Sequence, residues 1–127
     1  MGDERKLIGK KVLIVDDELI ITDVLRRYFS GIEELNEVKI FFANNTEDCL
    51  ELLEREKPTL MILDLSLKGP AAETGLKIFN MYKRKLKIAV CSADDDNMIE
   101  CLNEGAIEYL RKPPKREEFF RLIKTHA

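Results

Sequence analysis

Residues 11–18 read KVLIVDDE: four apolar residues, Val12 to Val15, run straight into three acids, Asp16, Asp17 and Glu18. Apolar residues in succession, with no alternation, fit a strand buried on both faces of a parallel sheet. Such a strand has to deliver its acids to the sheet edge, because unpaired carboxylates are costly to bury. The segment that follows, LIITDVLRRYFSG (19–31), repeats apolar residues at helical spacing (Ile21, Val24, Leu25, Tyr28), with Gly31 as a stop. Glu18 reads as ordinary charge in the first turn of that helix. Strand, acidic turn and helix form one β–α unit.

The same unit recurs along the chain. VKIFFA (38–43) predicts a second strand, and NNTEDCLELLEREK (44–57) a helix capped at Asn45 or Thr46, with Cys49, Leu52 and Leu53 on one face and Pro58 ending it. LMILD (60–64) precedes a helix over 75–85. KIAVCS (87–92) precedes a short helix over 96–105 closed by Gly105. AIEYL (106–110) precedes a last helix over 115–126, with Phe119, Phe120, Leu122 and Ile123 facing inward. Strict alternation implies a doubly wound α/β sandwich with right-handed crossovers. The expected fold is a flavodoxin-like (βα)5 domain with a parallel five-stranded sheet of order 2-1-3-4-5.

Composition agrees. The 127 residues suit one domain, read as spanning 1–127 with 1–10 as a short flexible leader and no output domain after the last helix. Hydrophobic residues at 45% and charged residues at 35% fit a globular chain with a substantial core. A net charge of −3 gives no general attraction to nucleic acid. No apolar stretch approaches the roughly 20 residues that cross a bilayer. Cys49, Cys91 and Cys101 are an odd set without metal-site spacing, expected to be buried and reduced, which with no signal peptide points to the cytoplasm.

In the 2-1-3-4-5 order, ligands bind outside the carboxyl ends of the strands, near the first and third. Those ends carry Asp16 and Asp17, Asp64, Ser92 and Lys112. Carboxylates about 4 Å apart repel by about 4 kcal/mol at an effective dielectric of about 20. Either one acid stays protonated or cations neutralise the group. Lys112 supplies one positive charge, and a hard divalent ion with oxygen ligands, Mg²⁺, suits the rest. Metal, lysine, hydroxyl and an exposed aspartate together suit phosphoryl transfer onto the Asp64 carboxylate. The single histidine, His126, is next to last and reads as a frayed, solvated end, which excludes a His-dependent triad. No G-x-G-x-x-G or Walker lysine loop is present. A flavin site is disfavoured by acids in the first loop, and a D-x-D phosphatase by Leu65 and Ser66 after Asp64.

With VDDE (15–18), LMILDL (60–65), CSA (91–93) and GAIEYLRKP (105–113) in order, the chain resembles the receiver domains of bacterial two-component response regulators, the CheY-like family, over essentially its whole length. The resemblance implies that Asp64 takes a phosphoryl group from a sensor histidine kinase or a histidine phosphotransfer protein. It implies Mg²⁺ held by Asp16, Asp17, Asp64 and the backbone carbonyl of Ser66. Lys112 would pair with Asp64 and then with the phosphoryl group. Ser92 and Tyr109 would form the switch, and the Lys112–Pro113 bond would be cis. Such a protein is a signalling phosphoprotein, not an enzyme in its own right. It would act on an unknown downstream protein through the face made by the fourth helix, fifth strand and fifth helix, as a monomer or a phosphorylation-dependent dimer, without direct nucleic-acid or membrane contact.

Taken singly, Asp17 reads equally as a helix cap, Ser92 as a strand-end hydroxyl, Tyr109 as a half-buried strand aromatic and Lys112 as a solvated lysine. The chain also departs from the family pattern. SLKGPAAETG (66–75) replaces the usual Met-Pro loop and is longer. The region from Ser92 to Gly105 is shorter, and DDD (94–96) stands beside the switch serine. A phosphate-independent interaction module, a receiver cut from a longer DNA-binding regulator or hybrid kinase, and a Mg²⁺-dependent phosphatase are the alternatives.

Overall fold

The computed structural model describes residues 7–67 and 75–127. Its elements in chain order are β1 (Lys11–Val15), α1 (Leu19–Gly31), a short 3-10 turn (Glu33–Leu35), β2 (Lys39–Ala43), α2 (Thr46–Glu56), β3 (Leu60–Leu63), α3 (Gly75–Tyr82), β4 (Lys87–Ser92), α4 (Met98–Asn103), β5 (Glu108–Arg111) and α5 (Arg116–His126). The five strands form one sheet of order β2-β1-β3-β4-β5. Every neighbouring pair is parallel. The expected doubly wound topology is therefore the one observed.

Each central strand is apolar because successive residues serve opposite faces. Val12 and Ile14 of β1, Leu60 and Ile62 of β3, and Ala89 and Cys91 of β4 pack with Leu25 of α1 and Phe119 and Leu122 of α5. Leu13 and Val15, Met61 and Leu63, and Ile88 and Val90 pack on the other face with Cys49 of α2, Ile78 of α3 and Cys101 of α4. All three cysteines are buried and free. Burial pushes the Cys49 and Cys91 thiols up to about 12, so they stay neutral.

Local chemistry sets the helix ends. The Asn45 side chain accepts from Asp48 N–H at 2.8 Å and caps α2. Lys57 closes the helix in the left-handed conformation with φ 50°, just before Pro58. On the opposite face, the Tyr28 hydroxyl donates to the Pro114 carbonyl at 3.0 Å, and Arg116 donates to the Gly31 carbonyl at 2.8 Å. These bonds seat the segment after β5 against α1.

Several expected boundaries shift. The helix read over 96–105 begins only at Met98, and the strand read over 106–110 begins at Glu108. Residues 68–74, most of the loop read as longer than usual, lie outside the described residues, as do residues 1–6 of the stretch read as a leader. Leu7, in that stretch, is buried in the α1 and α5 core. His126 is not a solvated end. It is half-buried, with Nε2 3.4 Å from Glu108 Oε2 and its carbonyl accepting from Lys87.

Candidate functional site

The backbone ladder continues one residue past β1, β3 and β5, and this builds the site. Val15 of β1 is in register with Leu63 of β3, so the next residues, Asp16 and Asp64, emerge side by side. Asp16 N–H donates to the Ala43 carbonyl and Asp64 N–H to the Val15 carbonyl, both at 3.0 Å. On the far side, Lys112 N–H donates to the Ser92 carbonyl at 2.8 Å. The chain then turns at a cis Lys112–Pro113 bond.

Asp16, Asp17 and Asp64 each offer a carboxylate oxygen within 4.8 Å of the others. Asp16 and Asp64 are buried and Asp17 is exposed. Lys112 reaches into this cluster with a side chain only 5% exposed, its Nζ 2.9 Å from Asp16 Oδ2 and 3.1 Å from Asp64 Oδ2. Asp16 Oδ1 accepts from Glu18 N–H, and Asp64 Oδ1 accepts from Ser66 N–H, each at 2.9 Å. These two backbone bonds orient the carboxylates.

Glu18 departs from its expected role. Rather than simple first-turn charge, its carboxylate sits 2.8 Å from Lys112 Nζ and accepts a hydrogen bond from it. Asp17, for its part, does not cap α1: the cap position is Glu18, whose side chain makes no capping hydrogen bond. The only sign of the Glu18 contact in the sequence is that three acids stand in a row.

Charge and burial oppose each other here. Burial is the main influence on Asp16, and repulsion from Asp64 adds to it; together they outweigh the Glu18 N–H and Lys112, so its pKa rises to about 6. For Lys112, burial on its own would lower the pKa. Its hydrogen bonds to Glu18 and Asp16 and the charges of Asp16 and Asp64 overcome that, and the ammonium is held above its ordinary value. Among the described residues, the site thus sets one cation, Lys112, among four acids.

One atom stands apart. Asp64 Oδ2 is buried and, among the described residues, none donates a hydrogen bond to it, although Lys112 Nζ is within ion-pairing distance. A buried carboxylate oxygen without a donor is costly, and a hard cation would satisfy it. The donor set, three clustered carboxylates, suits oxygen-loving divalent ions. The residues present therefore fit a metal ion.

Ser92 is buried at the end of β4, and its Oγ accepts from Asp94 N–H at 3.4 Å. Tyr109 is half-buried and donates from its hydroxyl to the Asp94 carbonyl at 2.8 Å. Burial foremost raises the Tyr109 pKa, against the effect of its hydrogen bond with Ser92. The three acids after Ser92 stay outside the carboxylate cluster. Asp95 pairs with Arg111 of β5 at 2.8 Å, and Asp94 Oδ1 accepts from Asp96 N–H at 3.0 Å. Tyr109 and Arg111, two residues apart on β5, thus tether the 94–96 turn.

Gly75 is a second residue that sequence reasoning did not single out. The start of α3 lies against the turn after β3, and Gly75 N–H donates to the Leu67 carbonyl at 2.9 Å. A Cβ on Gly75 would overlap the Asp64 carbonyl and stand 2.7 Å from Leu65 Cα. Only glycine allows α3 to come this close to Asp64.

Comparison with known proteins bears on this geometry. A family model described as the response regulator receiver domain matches residues 12–124. The chain is 31% identical over 120 residues to the sensory transduction protein LytT of Bacillus anthracis, covering 91% of this chain and 46% of that protein. It is 32% identical over 107 residues to protein-glutamate methylesterase/protein-glutamine glutaminase 2 of Paramagnetospirillum magneticum, covering 81% of this chain and 30% of the relative. The chain thus spans less than half the length of these curated relatives. Among solved structures, the REC domain of AraT, a response regulator from Geobacillus stearothermophilus, superposes with a TM-score of 0.75 at 26% identity, covering 91% of both chains. The signal receiver domain of a DNA-binding response regulator from Colwellia psychrerythraea shares the fold, with a TM-score of 0.76 at 22% identity, covering 92% of this chain and 100% of that one.

Proposed function

Because the chain belongs to the response regulator receiver domain family, we propose that it accepts a phosphoryl group on Asp64 from a sensor histidine kinase or histidine phosphotransfer protein in the cytoplasm. The observation that carries this reading is Asp64 Oδ2, a buried carboxylate oxygen with no hydrogen-bond donor among the described residues, beside a buried lysine. An oxygen in that state keeps its lone pairs available for attack.

The residues divide the work as follows. Asp64 Oδ2 attacks phosphorus in line, a P–O bond forms, and the bond from phosphorus to the donor breaks with its electron pair leaving on the donor atom. Ser66 N–H holds the other oxygen, Oδ1, and so orients the nucleophile. Lys112, already charged, turns from the carboxylates to a phosphoryl oxygen. Asp16, Asp17, Asp64 and the Ser66 carbonyl would hold Mg²⁺. When bound, Mg²⁺ supplies charge neutralisation to the phosphoryl oxygens and to the crowded carboxylates.

Signalling follows from the neighbours of the site. Ser92 turns its hydroxyl toward the phosphoryl group, and the 94–96 turn and Tyr109 follow, which changes the face made by α4, β5 and α5. Phosphorylation can shift this equilibrium only by its differential affinity for the two arrangements. A downstream protein reads the changed face. This receiver is a signalling component whose chemistry is the gain and slow loss of its own phosphoryl group.

Beryllofluoride, a mimic of the acyl phosphate, tests the reading. Added with Mg²⁺, it should shift the amide resonances of Asp64 and Ser66 and then those of Ser92, Tyr109 and α4, with no change in Asp64→Asn. Shifts confined to the pocket would leave phosphorylation standing and remove the switch. No shift anywhere would remove both.

A further inference from the structure

Glu18 has a role beyond those of the metal-holding and phosphate-accepting residues. We propose that it is a positioning residue: its carboxylate docks Lys112 in the resting site and so keeps Asp64 Oδ2 free. The inference rests on the receiver reading of Asp64 and deepens it.

The geometry is direct. Lys112 has three N–H donors and three carboxylates around it, at 2.9 Å (Asp16), 2.8 Å (Glu18) and 3.1 Å (Asp64). Glu18 accepts a hydrogen bond from the ammonium. Asp64 Oδ2 accepts none. Without Glu18, that donor is released to the nearest unsatisfied acceptor, Asp64 Oδ2. A lysine bonded there covers the atom that must meet both the cation and the incoming phosphorus. Glu18 itself is 58% exposed at the side chain, so its hold on Lys112 is weak and water-screened. A weak hold suits a latch that has to release Lys112 to the phosphoryl group after transfer.

The position of Glu18 explains why it can do this. Its own N–H is bonded to Asp16 Oδ1, which fixes the backbone at the start of α1. From there the two-methylene side chain just reaches Nζ. Aspartate keeps the charge and is shorter by about 1.5 Å, which opens the contact beyond hydrogen-bonding distance. Glutamine keeps the length and loses the charge. The two substitutions therefore separate placement of Lys112 from mere negative potential.

The test compares wild type, Glu18→Asp and Glu18→Gln as full chains. The Mg²⁺ dissociation constant is read from the Asp64 and Ser66 amide shifts, and the Asp64 13Cγ resonance is read without metal. Glu18→Asp should bind Mg²⁺ about threefold more weakly, the scale of an exposed ion pair, and should show a displaced Asp64 13Cγ, whereas Glu18→Gln, whose amide oxygen can still accept from Lys112, should leave Asp64 13Cγ near its wild-type position. The phosphorylation rate of Glu18→Asp with a small acyl phosphate should fall at low Mg²⁺ and return to the wild-type value at saturation. The inference is overturned if Glu18→Asp keeps wild-type Mg²⁺ affinity, or if its Asp64 13Cγ is unmoved. Wild-type protein that neither binds Mg²⁺ nor takes phosphate overturns the receiver reading itself, and this inference with it; a working wild type with unaltered variants overturns the Glu18 role alone.

Discussion

Lys112 Nζ lies 3.1 Å from Asp64 Oδ2, yet no hydrogen bond joins them. The two residues come from the ends of β5 and β3, on either side of β4, and meet only because their strands are parallel and in register. Their relationship is one of charge without commitment. Lys112 compensates Asp64 electrostatically while directing its hydrogen bonds to Glu18 and Asp16. That arrangement compensates the resting carboxylate and leaves Oδ2 without a donor among the described residues.

Asp16 provides a pH-dependent test. Burial first and Asp64 second push its pKa from 3.8 to about 6, so the folded protein holds this proton more tightly than the unfolded chain. Metal-free stability is therefore expected to rise as pH falls from about 6 toward 3.8 and to be lost as pH climbs through that window. Asp16→Asn should remove this component of the slope and raise metal-free stability near neutrality by about 1 kcal/mol. Added Mg²⁺ should stabilise the wild type and leave Asp16→Asn unchanged. Denaturant titrations across pH, with Mg²⁺ and with chelator, measure both effects.

Gly75→Ala tests the close approach of α3. The added methyl would overlap the Asp64 carbonyl, forcing helix or turn to shift. A loss of about 2 kcal/mol in denaturant midpoint experiments is expected, together with weaker beryllofluoride binding, because the displaced turn carries Asp64 and Ser66. Unchanged stability with unchanged binding would show that α3 yields freely at this point.

Tyr109→Phe removes the hydroxyl that bonds the Asp94 carbonyl at 2.8 Å. Stability should fall by about 1 kcal/mol or less, since that carbonyl can turn to water. The local effect should be larger. Amide hydrogen exchange at residues 94–98 should speed up, while exchange in β1 and β3 stays as in wild type.

Much of this molecule is legible in its sequence, and the parts that are not have identifiable causes. KVLIV (11–15) and KIAVCS (87–92) coincide with β1 and β4 because strands buried on both faces have no polar positions to blur their ends. Asp16 and Asp64 were readable because each stands one residue past an apolar run, and Lys112 because it follows the last strand directly. The start of β5 was not, because Ala106 spends its N–H on the Cys101 carbonyl at the end of α4 before the ladder begins. The start of α4 was obscured by its acids, which look like first-turn residues but form a turn of their own, with Met98 N–H bonded to the Asp95 carbonyl. Glu18 was misread because a helix-start acid has a sufficient local explanation, and its real partner lies 94 residues away. Gly75 was missed because what it touches, the Asp64 carbonyl, is set by tertiary packing alone.

The central claim, that Asp64 is the phosphate acceptor, is tested most directly by intact-mass and peptide mass spectrometry after incubation with Mg²⁺ and a small acyl phosphate. The account predicts one acid-stable, base-labile phosphoryl group per wild-type chain, mapped to Asp64, and none on Asp64→Asn. A wild-type chain that gains no phosphoryl group, or an Asp64→Asn chain that gains as much as wild type, would contradict it.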